Sequence, residues 1–188
     1  MGVNLIKGQK VDLTKGNALL KELVVGLGWD GSNGGNTIDC DASALMLGEN
    51  GKLSSVKSII YFGNKISKCK SVIHQGDNLT GAGDGDDEQI VLDLIKVPAD
   101  ISKIVFVVNI YNCAAKGQHF GMIKNAYIRI MDKSANSELV KFNLSNDYNN
   151  MTSLIMGEVY RNNGEWKFTA IGEGATATSI TELTARYK

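Results

Sequence analysis

The sequence predicts an all-β protein: an antiparallel β-sandwich with a short C-terminal helix and long loops at one end. Three observations carry that prediction. Apolar residues gather in nine short runs, at 23–27, 38–47, 56–62, 90–97, 104–111, 126–131, 139–144, 154–160 and 166–171, most of them of strand length and too short for a typical helix. Between them stand clusters of Gly, Asn, Asp and Ser, such as 30–36, which supply positive φ and side-chain turn bonds. Helical periodicity is scarce, which argues against alternating β and α units.

Taken in order, the runs at 23–27 and 38–47 flank the first Gly/Asn loop, and the run at 90–97 ends against Pro98, the single proline. A fixed φ suits a turn there, and the missing N–H breaks no ladder. Near the end, Asn163-Gly164 sits between two alternating runs, the residue pair that tight hairpin turns select. Ser179 followed by Glu182 forms a capping box, and Ile180, Leu183 and Tyr187 are spaced as one apolar face, so the last segment reads as a short helix packed on the sandwich. No repeat, low-complexity tract or linker divides the chain, and residues 1–188 read as one domain.

A chain of 188 residues can bury about 70% of its unfolded surface, enough for one core without staples. Lys plus Arg and Asp plus Glu number 20 each, so no net field favours nucleic acid or an anionic membrane. Cys40, Cys69 and Cys113 are odd in number and lack C-x-x-C spacing; they read as reduced, mostly buried thiols of a cytoplasmic protein. With no stretch of about 18 apolar residues and no apolar h-region in 1–10, neither a transmembrane segment nor export is expected.

The segment 76–88 stands apart. It reads Gly76-Asp77-Asn78-Leu79-Thr80-Gly81-Ala82-Gly83-Asp84-Gly85-Asp86-Asp87-Glu88, with no Lys or Arg. Two carboxylates about 4 Å apart repel by roughly 4 kcal/mol at an effective dielectric near 20. The loop therefore stays splayed in water or is collapsed by a cation. Its glycines let the backbone curl so that oxygens converge, and a donor set of hard oxygens without imidazole or thiolate selects calcium. Asp30, and Asp39 and Asp41 alternating around Cys40, add carboxylates from distant sequence, the last two on one face of an extended strand. The segment is not an EF-hand, because Leu79 and Gly81 occupy ligand positions. Nor is it a phosphate loop, because no Gly-Lys-Ser/Thr follows and its carboxylates repel phosphate.

The strings Gly28-Trp29-Asp30, Asp39-Cys40-Asp41-Ala42-Ser43 and Val72 through Gly81, the Gly85-Asp86-Asp87-Glu88 end of the acidic loop, Phe120-Gly121, Tyr127-Ile128-Arg129 and Gly164-Glu165-Trp166-Lys167-Phe168 occur in this order along nearly the whole chain. Together they resemble the TerD family of tellurium-resistance and general-stress proteins. The resemblance implies a β-sandwich holding two calcium ions at one end, a link to resistance against tellurite, phage and other stresses, and no attached enzymatic reaction. Carried over residue by residue, it nominates Asp30, Asp39, Asp41, Asp77, Asn78, Asp84, Asp86, Asp87 and Glu88 as metal ligands. It also implies other tellurium-resistance or stress-response proteins as partners. The chain departs from the family pattern at Cys40, where Leu is frequent, and at Asn143, where Asp is frequent.

Other candidates favour structural roles. His74 and His119 are the only histidines and lie far apart, a pattern more common for hydrogen-bonded structure than for catalysis. Ser43 has no evident base partner. Trp29 and Trp166 are expected to pack in the core. Arg129, on an apolar strand, needs a carboxylate, with Glu158 or Asp132 as the expected partner. The leading reading is a calcium-stabilised binding module without catalytic residues. The alternative is a metal-dependent hydrolase or phosphoryl-transfer enzyme using the acidic loop, with His74 as the nearby base. A calcium-dependent lipid-binding module is disfavoured, since the loops offer little beyond Leu79 to insert.

Overall fold

Period-2 burial organises the chain. In β3 (Glu22–Asp30) Leu23, Val25, Leu27 and Trp29 are buried on one face, while Gly26 and Gly28 lie on the other. In β9 (Lys124–Asp132) Ile128 and Ile130 face the same core. The computed structural model describes residues 2–30, 38–76, 85–144 and 148–188. The remaining strands are β1 (Val3–Leu5), β2 (Lys10–Asp12), β4 (Cys40–Leu47), β5 (Ile59–Ile60), β6 (Val72–His74), β7 (Glu88–Asp93), β8 (Lys103–Ile110), β10 (Ser137–Asn143), β11 (Ser153–Asn162) and β12 (Glu165–Ala175). They form two six-stranded sheets, ordered β1-β10-β9-β3-β7-β6 and β2-β12-β11-β8-β4-β5. Every strand pair is antiparallel except β1 with β10. The sheets pack face to face over Leu23, Leu27, Ile90, Phe106, Val108 and Phe168, all essentially inaccessible, as an aligned sandwich requires.

The predicted hairpin is present: Asn162 pairs with Glu165, and Asn163 and Gly164 between them have φ of 52° and 82°. Two positive φ values are what a two-residue turn of this hand demands. The C-terminal capping box also forms. Ser179 Oγ accepts from the Glu182 N–H at 3.2 Å, and Glu182 Oε2 accepts from the Thr178 N–H at 2.8 Å. The helix, Ile180–Thr184, seats Leu183 in a second apolar cluster with Leu45, Leu47, Val105, Val107 and Ile155. This explains why β4 is buried at every position. Cys40, Ala42, Ala44 and Met46 face the other sheet, while Leu45 and Leu47 lie in the cluster that includes Leu183.

Two apolar runs differ from expectation. Within 56–62 only Ile59–Ile60 is strand, preceded by a 3₁₀ turn at Val56–Ser58, and Val56 is 72% exposed. Within 90–97 the strand stops at Asp93, whose carboxylate accepts from the Ile95 and Lys96 N–H groups and turns the chain before Pro98. The three-residue strands β1, β2 and β6 fall outside the predicted runs, being too short to show a period. A four-residue helix, α1 (Cys113–Lys116), interrupts the connection after β8. None of the three cysteines is disulfide-bonded; Cys40 and Cys113 are buried. No helix among the described residues is long and apolar enough to cross a membrane.

Candidate metal centre

The ends of β3, β4 and β7 bring carboxylates from three parts of the sequence to one end of the sandwich. Asp30 closes β3, and its Oδ2 accepts from Asn125 Nδ2 at 2.5 Å. Asp87 lies beside it, with Oδ2 accepting from the Trp29 N–H at 2.7 Å. Burial raises the Asp87 carboxyl above its usual range; the Trp29 N–H opposes this, and the negative charges of Asp30 and Asp86 add to it. Asp39 precedes β4 and Asp41 lies on its outer face, 6% exposed, with Oδ2 accepting from Asn109 Nδ2 at 3.5 Å. Cys40 between them is pushed well above the usual thiol range, first by burial and then by the charges of Asp39, Asp41, Glu88 and Asp87. A thiol in that state is a poor metal ligand, which leaves an oxygen donor set.

Glu88 brackets the two sheets. From the inner face of β7 its Oε2 accepts from the Ala42 N–H of β4 at 2.6 Å and lies 3.4 Å from His74 Nε2. His74 Nε2 is also 3.2 Å from the Ala42 carbonyl, and Nδ1 accepts from the Gly76 N–H at 3.2 Å. With Nδ1 accepting, the ring proton sits on Nε2, facing Ala42 and Glu88. Since β5 pairs with β4 only at Ala44 and Leu45, these side chains take the backbone groups of Ala42 that an edge strand would otherwise leave open. His74 is fully buried at its side chain, which suits this bracing role and removes it from the reach of a substrate.

Asp86 has a different fate from its neighbours. Its Oδ1 accepts from Arg129 Nε at 2.7 Å and Tyr127 OH at 2.9 Å, and its Oδ2 from an Arg129 terminal nitrogen and Gln89 Nε2, both at 3.0 Å. Those four bonds fill the lone-pair sites of a carboxylate, so Asp86 serves the framework and is set aside from the nominated ligands. The Arg129 partner is thus Asp86, not Glu158 or Asp132. Glu158 pairs with Lys103 on the other sheet, and Asp132 accepts from Ser134 and Ala135 in the turn after β9. The pairing holds the guanidinium pKa up, and burial together with the bond to Asp86 raises the Tyr127 phenol. A signal for this cluster was present in Gly26-x-Gly28: a Cβ at Gly26 would overlap the Asp86 carboxylate, and one at Gly28 the Tyr127 ring. Glycine inside a strand marks such close approach.

Of the nine nominated residues, Asp77, Asn78 and Asp84 lie outside the described residues. Among the described residues, no group of three or more His, Cys, Asp or Glu side chains is arranged to hold a metal ion. Asp30, Asp39, Asp41, Asp87 and Glu88 lie at one end of the sandwich, where β3 ends and β4 and β7 begin. Ser43 is 1% exposed on the outer face of β4, and His119 caps a 3₁₀ turn by accepting from the Gly121 N–H. Trp29 and Trp166 are both core residues, as expected.

Comparison with known proteins places this geometry in a family. The TerD domain model matches residues 1–187. The chain is 53% identical to stress response protein SCP2 of Bacillus subtilis, covering 100% of both chains. It is 48% identical to general stress protein 16U of the same organism, over 93% of this chain and 91% of that one. It is 42% identical to tellurium resistance protein TerD of Serratia marcescens, over 100% and 97%. A solved homologue of the telluride resistance protein (TerD) from Streptomyces coelicolor superposes with a TM-score of 0.73 at 20% identity, over 90% of this chain and 98% of that one. At that identity the likeness shows the fold alone.

Proposed function

This chain belongs to the TerD-domain family of tellurium-resistance and stress-response proteins, and from that premise we propose that it is a calcium-binding interaction module rather than an enzyme. The observation that carries the reading is that Asp30 at the end of β3, Asp39 and Asp41 at the start of β4, and Asp87 and Glu88 at the start of β7 come together at one end of the sandwich, tied there by the bonds of Asp87 to the Trp29 N–H and of Glu88 to the Ala42 N–H. Burial raises the Asp87 carboxyl first, and the charges of Asp30 and Asp86 add to that rise. Oxygens so gathered suit a hard divalent cation.

Asp30, Asp39, Asp41 and Asp87 would hold it, together with Asp77, Asn78 and Asp84 of the acidic loop, while Glu88 braces the strands behind them. Two ions is the number that the resemblance to the TerD family implies. The bound cation supplies charge neutralisation, and the loops it fixes would present a docking surface to another stress-response protein. The hydrolase alternative lacks support at its base, since both nitrogens of His74 are engaged inside the fold.

Calorimetric titration of the chelator-treated protein is expected to show calcium uptake in the micromolar range. A hundredfold excess over Kd adds about 2.7 kcal/mol, or roughly 5–10 °C in Tm for a chain of this size. Absence of heat and of any Tm change with calcium removes the reading.

A further inference from the structure

On the outer face of the second sheet, at the end where β4 begins and β8 ends, Asp41 and Asn109 stand directly opposite each other. We propose that Asn109 is a calcium ligand: its amide oxygen, a neutral donor from a strand that none of the acidic motifs reaches, joins the Asp41 carboxylate on one ion. This rests on the calcium reading and adds to it a ligand outside the nominated residues.

The Asn109 amide is poorly answered by the protein around it. Asn109 is 5% exposed, and its Oδ1 is buried with no hydrogen-bond partner among the described residues. Its Nδ2 is 3.5 Å from Asp41 Oδ2, beyond the usual range of about 2.7–3.2 Å for such a bond. On its other side Asn109 faces Ser153, whose hydroxyl donates to the Ala175 carbonyl at 3.3 Å and so does not serve the amide. Ser43, 1% exposed and two residues along the face from Asp41, also has an Oγ without a partner, but a hydroxyl both donates and accepts. The amide oxygen only accepts, so a donor or a cation must answer it. A cation answers it and the carboxylate at once.

Distances favour the cation. The oxygen and nitrogen of an amide occupy equivalent places, and a half-turn about χ2 exchanges them; here it sets Oδ1 where Nδ2 stands, 3.5 Å from Asp41 Oδ2. Two oxygens bound to one calcium ion at about 2.4 Å, with about 72–90° between them, lie about 2.8–3.5 Å apart. The spacing is long for a hydrogen bond and right for two ligands of one ion. Charge points the same way. A neutral oxygen adds a ligand without adding to the repulsion among Asp39, Asp41 and Asp87, whereas a carboxylate opposite Asp41 would set like charges face to face. The Tyr111 N–H donates to the Asp39 carbonyl at 2.8 Å, which ties the end of β8 that carries Asn109 to the segment that carries Asp39 and Asp41.

The test is calorimetric titration with calcium of chelator-treated wild type and two variants, with the Tm of each measured calcium-free. Asn109→Leu removes the oxygen at similar size and should weaken uptake at one site by about tenfold or more, the loss of one ligand. Asn109→Asp keeps an oxygen and adds charge; it should bind calcium at least as tightly as wild type while lowering the Tm of the calcium-free protein. A residue that acts only by donating to Asp41 predicts weaker calcium binding in Asn109→Asp, because a carboxylate cannot donate. That result overturns the proposal, as does an unchanged Kd in Asn109→Leu. The wild-type protein supplies a measurement that needs no variant to fold: the NMR signals of the Asn109 carboxamide should shift saturably as calcium is added. Signals that stay in place through saturation overturn the proposal, as a water bridge or a purely structural bond would leave them. If wild type takes up no calcium, the calcium reading falls and this inference with it; uptake in wild type with an unresponsive Asn109 amide sinks the inference alone.

Discussion

The two sheets share a core but treat their outer faces in opposite ways. The second sheet turns Leu45, Leu47, Val105, Val107 and Ile155 outward and buries them with Leu183 of the C-terminal helix. The first sheet turns out Gly26, Gly28, Tyr127, Arg129 and Lys141, a polar face closed by side chains bonding to one another over glycine. Alternation along a strand says which residues point away from the core. What meets them there, helix or hydrogen-bond network, depends on segments far away in sequence.

Substitution at Arg129 should break the polar face hardest. Arg129→Met would strand the Asp86 carboxylate, 1% exposed at its side chain, and losing one partner of such a pair costs about 3 kcal/mol or more. Urea unfolding would show it as a lower midpoint at unchanged slope, and a loss under 1 kcal/mol would mean that Gln89 and Tyr127 suffice to hold the carboxylate. On the apolar face, Leu183→Ala should cost about 2–3 kcal/mol by leaving a cavity under the helix, read in the same experiment. Ser179→Ala is the milder probe there, removing one cap bond for about 1 kcal/mol; a loss as large as that of Leu183→Ala would mean that capping, not burial, holds the helix down.

The smallest effect concerns pH. Because the folded-state Asp87 carboxyl is raised, its contribution in calcium-free protein is fully present below the unfolded value near pH 3.9 and is lost as pH rises through the folded value. On the proposed reading calcium takes the place of that proton, so the Tm gap between loaded and calcium-free protein should widen from about pH 4 to about pH 7. A constant gap would show that Asp87 is not among the groups that calcium neutralises.

Much of the fold was legible because its signals are local. Asn163-Gly164 chose its turn and Ser179 with Glu182 its cap, while alternation marked the core of β3 and β9. Within the acidic segment the residues look alike, and their roles diverge only when partners arrive. Asp86 meets Arg129, Asp87 meets the Trp29 N–H, and Glu88 meets the Ala42 N–H, all from segments more than 40 residues away. Glu158 was a reasonable partner for Arg129 by charge, but the sandwich places it on the other sheet beside Lys103.

By itself, then, the sequence determined the β class, the hairpin tip, the C-terminal cap and the concentration of acidic oxygen, because turn dihedrals, caps and local charge density are properties of neighbouring residues. The tertiary structure alone decided which carboxylates brace the sheets and which stand at the open end, and that Lys141 faces Arg129 across a strand pair. The physical reason is that hydrogen-bond partners and cross-strand register are set when distant strands dock, a step that no local pattern encodes.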